Sequence, residues 1–194
     1  MTWEETWECA VMQREDALKL LHQYLKTPNL IKHSLAVEAI MRALARHFGE
    51  DEDKWGLAGL LHDIDYEETK DDPQRHSLVG GGILEREGLD PEIVYAVKAH
   101  NEAHGLPRED RLSRALYASD PLTGLIVAAA LIRPEKKLSP VDVQFLLNRY
   151  HEKSFARGAK REQIASCREL GLSLEEFLAL GLEAMKGIAE ELGL

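Results

Sequence analysis

Helix start and stop residues recur along this sequence, and almost nothing in it marks a strand. Asp72-Pro73 and Asp90-Pro91 each place a capping carboxylate before a proline suited to a first helical turn. Ser139-Pro140 repeats the device with a hydroxyl, and Ser173-x-x-Glu176 is a capping-box pattern. Gly49, Gly88 and Gly105 stand just past apolar runs, where a helix ends readily. These signals predict helices over about 13–26, from a cap at Asn29 to about His47, over about 53–63, from Pro73 to Gly88, from Pro91 toward Gly105, and over about 110–132. Two more follow Ser139 and Ser173, giving roughly eight helices. No Asn-Gly or Asp-Gly turn joins two alternating runs, so the expected class is all-α. Trp3, Trp7 and Val11, four apart, read as an apolar stripe on an added N-terminal helix.

A chain of 194 residues with 44% hydrophobic composition can build one core without disulfides, and a single domain over 1–194 is expected. Cys9 and Cys167 are far apart and form no zinc or disulfide pattern, which suits a reducing, cytoplasmic setting. No apolar run approaches the roughly 20 residues that a bilayer span needs, and the acidic start does not read as a signal peptide. The net charge of -10 argues against gripping long nucleic acid through its phosphates. That charge is uneven: Arg133 to Arg161 carry eight Lys/Arg against three acids. Such a stretch could meet a small anionic substrate, or could simply be a solvated helix face.

Histidines and aspartates gather at helix ends and on apolar faces. His62-Asp63 closes the run GLAGLLHD, offering a nitrogen and a carboxylate oxygen from adjacent positions. His33 shares a helix with Leu30, Val37, Ile40 and Leu44, neighbours that turn it inward. His100 ends IVYAVKAH, His76 sits in the first turn after Pro73, and Asp120 interrupts an apolar helix, where an unpaired carboxylate is costly. Singly, each has a plain structural reading: a hydrogen-bonded core histidine, a favourable imidazole at a helix end, a cap beside Pro121. Inward-facing ligand types on successive helices are harder to explain as unrelated core residues.

The order His33, His62-Asp63, Asp120, with LAGLLHD around the dyad, resembles the HD superfamily of metal-dependent phosphohydrolases. The resemblance covers about residues 30–130, the five-helix core of that family, and leaves about 139–194 as a C-terminal helical extension. His76 in RHSLVGG and His100 in VKAHNEAHG stand where two-metal members carry extra histidines. Those members include bacterial dinucleoside tetraphosphate hydrolases and HD-GYP cyclic-dinucleotide phosphodiesterases. The resemblance therefore implies two divalent transition-metal ions, with His33, His62, Asp63 and Asp120 at one and His76 and His100 at the second. Asp63 would bridge them. Iron, manganese, cobalt, nickel and zinc all suit such ligands. The chain departs from relatives at HGLPRED, which lacks the Gly-Tyr-Pro signature, and at HDIDYEE, where many have glycine then lysine. The substrate is thus left open.

The expected activity is hydrolysis of a nucleotide or other small phosphate ester by a metal-activated hydroxide. Asp63 is central to it, and Asp65, Glu67, Glu68 or His104 are candidates for orienting water or protonating the leaving group. His104 follows His100 by four and would share its face on a continuing helix, with a surface role as the alternative. Lys98, Arg133, Lys136, Lys137, Arg157, Lys160 and Arg161 are candidate phosphate holders. The rival readings are a ligand-sensing regulatory module without turnover, and a domain whose histidines bind nothing. Gly80, Gly81 and Gly82, each costing roughly 1 kcal/mol inside a helix, imply close approach of substrate or of another helix. The last helix carries Leu174, Phe177, Leu178, Met185, Ile188 and Leu192 near one face, for packing on the core or, alternatively, a homodimer contact.

Overall fold

The computed structural model of the chain describes residues 11–194. The stripe expected at Trp3 and Trp7 lies outside them, as does Cys9; Val11 is exposed and not helical. Among the described residues no strand forms, and the class is all-α. No helix there is long and apolar enough to cross a membrane.

Helix α1 (Arg14–Tyr24) buries Ala17, Leu20 and Leu21. Helix α2 (Pro28–Phe48) starts with its proline at the first position and Thr27 at the cap position, two residues before the expected Asn29. Gly49, with φ +68°, ends it in the left-handed conformation that glycine adopts without a Cβ penalty. Helix α3 (Glu52–Leu61) is capped by Asp51, whose carboxylate accepts from the Lys54 N–H. It crosses α2 closely at Gly59, where a Cβ would lie 2.9 Å from backbone atoms of Val37 and Glu38. The crossing is fastened at its flank by Glu38, 3% exposed, which accepts from Arg14 and Arg42.

One expected helix start is overturned. The segment after Asp72-Pro73 is a series of turns, and the next long helix, α5 (Leu78–Arg86), begins only after Ser77. Asp72 accepts from the Gln74 N–H, a local turn that competes with helix initiation. The true start is organised by a distant carboxylate: Asp65, just before α4 (Tyr66–Thr69), accepts from the N–H groups of Ser77 and Gly80, both at 2.7 Å. Ser77 meets this partner with φ +69°, an uncommon conformation for a residue other than glycine. Two glycines of the run now have a reason, while Gly82 makes only an ordinary contact at 3.7 Å with Arg86. A Cβ at Gly80 would sit 3.2 Å from the Asp65 carboxylate, and one at Gly81 would strike the Lys98 stem.

Helix α6 (Pro91–Ala99) follows its expected Asp90 cap but stops at His100. Asn101, in extended backbone, starts a separate short 3-10 turn over Glu102–His104, so His100 and His104 do not share a continuous helix. Helix α7 (Arg111–Leu131) contains Pro121, which removes the N–H that would reach the carbonyl of Tyr117. Gln163, in α9 (Arg161–Ala165), supplies the missing donor from its Nε2 at 2.8 Å. The other revised start is α8 (Val143–His151), which begins beyond Ser139-Pro140 because Asp142 accepts from the Phe145 N–H at 2.7 Å.

Helix α10 (Leu174–Lys186) begins with the expected capping box of Ser173 and Glu176. It packs on α2, α7 and α8, burying Phe177, Leu178, Leu182 and Met185 in the same apolar cluster as α2, α3, α6 and α7. The last element, α11 (Ala189–Leu192), packs on α2 and buries Leu192. Packing onto the core therefore accounts for the C-terminal apolar face.

Candidate metal centre

Four helices and one turn deliver the side chains. His33 lies near the start of α2, His62 and Asp63 follow the last residue of α3, and His100 follows the last residue of α6. Asp120 comes from the middle of α7, and His76 from the turns before α5. Their donor atoms gather in two groups that share Asp63: His33, His62, Asp63 and Asp120; and Asp63, His76 and His100.

Asp63 faces both groups, one oxygen to each. Its Oδ2 lies 3.4 Å from Nε2 of both His33 and His62, and its Oδ1 lies 3.4 Å from His76 Nε2 and 3.3 Å from His100 Nε2. Asp120 Oδ1 is 3.0 Å from His33 Nε2 and 3.5 Å from His62 Nε2. Neighbouring ligands around an ion bound at roughly 2.0–2.2 Å are separated by about 3.0–3.4 Å, so the spacing suits a cation between these atoms.

The far side of every imidazole has an acceptor. His62 Nδ1 donates to the Gly59 carbonyl at 2.7 Å and His100 Nδ1 to the Val97 carbonyl at 2.5 Å. His76 Nδ1 faces Asp65 Oδ1 at 2.9 Å. Thr123 donates its hydroxyl proton to the Asp120 carbonyl, so at 3.0 Å from His33 Nδ1 it can only accept. Each ring thus carries its Nδ1 proton outward and can turn an Nε2 lone pair inward, the arrangement that metal-bound histidines require. His33 and His62 place these nitrogens only 3.2 Å apart, which a shared cation resolves better than two protons would.

Without an ion, protons hold the cluster together. Burial opposes charge on His33, but hydrogen bonds to Asp120 and Asp63 outweigh it and raise its pKa to about 9. His76 reaches about 9 in the same way, through Asp63 and Asp65. Burial works against the Asp63 charge too, yet the His62 imidazole and its neighbours hold that carboxyl well below its usual range. Asp120 is likewise held low, with His33 and His62 outweighing burial. The centre is sealed at His62, with 0% of its side chain exposed, and open at His33 and Asp120, at 25% and 26%.

The other candidates are placed less centrally. Asp65 is 2% exposed and spends its oxygens on His76, Ser77 and Gly80, so it stands behind the cluster as a positioning group for His76. Glu67 departs from the expected catalytic place: its carboxylate accepts from the N–H groups of Lys26 and Thr27 and so ties down the start of α2. Glu68 pairs with Arg75. His104 is turned to the backbone, its Nε2 donating to the His76 carbonyl at 2.7 Å.

Of the proposed phosphate holders, Lys98 pairs with Glu85 at 2.6 Å and Lys160 with Glu102 at 3.1 Å. Arg133 lies over the Phe145 ring. Lys136, Lys137 and Arg157 are exposed. Arg161 donates to the carbonyls of Tyr150, Ala156 and Ala159, among others, and so ties the turns after α8 together. Among the described residues, no hydrogen bond or ion pair of this basic set reaches the cluster. Thr123 and Asn101, whose amide donates to the carbonyls of Pro73 and His76, were not foreseen from sequence. Neither carries a recognisable signal: the partners that matter to the site, His33 for Thr123 and His76 for Asn101, lie on other elements.

Comparison with known proteins agrees with this arrangement. The profile of the family described as "HD domain" matches residues 30–166. A ribonuclease Y of Lawsonia intracellularis is 34% identical over 105 residues, covering 54% of this chain and 20% of that protein. A ribonuclease Y of Sulfurovum sp. is 28% identical over 84% of this chain and 32% of its own length. A tRNA (cytidine(56)-2'-O)-methyltransferase of Thermoplasma volcanium is 29% identical over 157 residues, 78% of this chain and 45% of that protein. The chain thus spans less than half of each of these relatives. No solved structure is significantly similar.

Proposed function

Because this chain belongs to the HD-domain family, we propose that it is a metal-dependent phosphohydrolase acting on a nucleotide or another small phosphate ester. The observation that carries the reading is Asp63, with one oxygen toward each of two histidine-bearing groups. His33, His62, Asp63 and Asp120 would hold one divalent ion, and Asp63, His76 and His100 a second. Ions bound there would bring the pKa of a water toward neutrality and offset charge on the phosphoryl group.

The protein's own groups supply order. Acceptors on the outer nitrogens hold each ring with its inner nitrogen free, so no imidazole needs to reorient during turnover. The solvent-facing side at His33 and Asp120 is the approach for an ester. Net reaction adds water across a P–O ester bond: the water oxygen bonds to phosphorus, the P–O bond to the leaving group breaks, and the freed oxygen takes a proton. The names of the relatives point to RNA chemistry, but a net charge of -10 weighs against a long polyanion and favours an ester of nucleotide size.

The test is elemental analysis of the purified protein with a screen of nucleotides and bis(p-nitrophenyl) phosphate in manganese or cobalt. Asp63→Ala is expected to lose metal and to lower turnover more than about a hundredfold, since even changes behind metal ligands cost 10- to 100-fold. Full turnover in Asp63→Ala would end the reading. Metal binding without hydrolysis of any ester would favour a ligand-sensing module instead.

A further inference from the structure

Most helical glycines of this protein stand where a side chain would collide. A Cβ would meet Arg42 at Gly56, the α2 backbone at Gly59, Asp65 at Gly80, Lys98 at Gly81 and Leu122 at Gly181. Gly82 has only an ordinary contact to Arg86 at 3.7 Å, and Gly124, in the interior of α7, has nothing among the described residues within 4 Å of the place its Cβ would take. A glycine there costs roughly 1 kcal/mol relative to alanine, and no packing requirement offsets it.

The open space belongs to a cleft of about 540 Å³ between α2 and α7. His33 forms part of its wall, so the cleft continues directly from the exposed side of the candidate metal centre. Ala36, Gly124 and Ala128 keep it wide with small side chains, Val127 and Leu131 make it apolar, and Leu131 is 50% exposed. Its polar members are Asn29, Lys32, His33 and Thr123, residues 192–194 close one side of it, and Lys32 has no ion-pair partner among the described residues. By contrast, the cleft around Tyr117 and Lys160 includes none of the six donors.

Hydrolysis at the cluster requires room beside it for the organic group of the ester. An apolar slot with one amide at its wall suits a planar group with hydrogen-bonding edges, and the Lys32 ammonium in the same cleft, on the side of Gly193, suits a phosphate. We propose that this cleft receives the nucleoside of a nucleoside phosphate, and that Gly124 sets the size of base it admits. The proposal rests on the phosphohydrolase reading for the placement of the phosphate, with Lys32 pairing to it.

Calorimetric titration of the metal-loaded protein with adenosine, guanosine, cytidine and uridine 5′-monophosphates tests it. Gly124→Leu projects a side chain into the cleft from a surface position with free space around it. It is expected to weaken the best of the four by about tenfold or more, with metal content unchanged. Saturation-transfer NMR should show contact to the base protons in the parent protein and lose it in the variant. Ala128→Leu, one turn further on, closes the same cleft and serves if Gly124→Leu does not fold. A dinucleotide in place of the best monophosphate separates a free nucleotide from the end of a longer strand; a preference for either supports the cleft.

Unchanged affinity in both variants, or no binding of any of the four, overturns the proposal. If Asp63→Ala abolishes turnover while the cleft variants bind normally, the cleft falls and the hydrolase reading stands. If the cleft variants lose the nucleotide while Asp63→Ala keeps full turnover, the hydrolase reading falls and the cleft stands.

Discussion

His76 is the member of the cluster least protected by regular structure, and Asp65 compensates for that. The carboxylate orients the ring through Nδ1 and at the same time gathers the N–H groups of Ser77 and Gly80, holding the turn on which His76 sits. Asp65→Asn keeps the shape but weakens this acceptor set. It should lower affinity for the ion at His76 and His100 by about 10- to 100-fold while leaving the His33 group loaded, as read by metal titration followed with elemental analysis. Loss of metal at both groups alike would mean that Asp65 acts by holding the fold. At this scale the six side chains singled out by their order and company in the sequence are ones that the fold brings together. The sequence could not assign Asp65 or Glu67, because adjacency to a dyad says nothing about which way a carboxylate turns. One faces His76, and the other caps a helix start formed some forty positions earlier in the chain.

Between elements, glycine reports two opposite demands. Gly59 lets α2 and α3 approach until backbone nearly touches backbone, and neither partner can yield cheaply. Gly59→Ala should therefore cost about 1–3 kcal/mol by overpacking, while Gly124→Ala should gain up to roughly 1 kcal/mol in helix propensity. Thermal or denaturant unfolding of the two variants should move in opposite directions, and a shared direction would contradict the packing described. Helix starts at Asp90, Asp110 and Ser173 were legible because the cap lies within three residues of the N–H it satisfies. Those at Ser77 and Val143 were misplaced. The first depends on Asp65, remote in sequence, and the second on Asp142, which overrides a Ser-Pro pair just before it.

For the molecule as a whole, protons and metal compete for one set of atoms. In metal-free protein, His33 and His76 have pKa values raised to about 9 from an unfolded value near 6.5. Their contribution to stability is complete below about pH 6.5 and fades as pH rises through 9. A divalent ion needs the same nitrogens unprotonated, so its affinity should rise across that window. Melting curves of stripped and manganese-loaded protein should therefore diverge as pH increases from 6.5 to 9, the gap being the linkage free energy of the bound ion. A constant gap would show that these imidazoles do not give up protons to metal.

Gln163 replaces the donor that Pro121 took from the helix carrying Asp120, and it does so from a segment synthesised more than forty residues later. Until that amide leaves the ribosome, the Tyr117 carbonyl can bond only to water, and the turn supporting Asp120 lacks its protein donor. The candidate ion site would in this sense be finished late in translation, by a part of the chain that supplies none of its six residues.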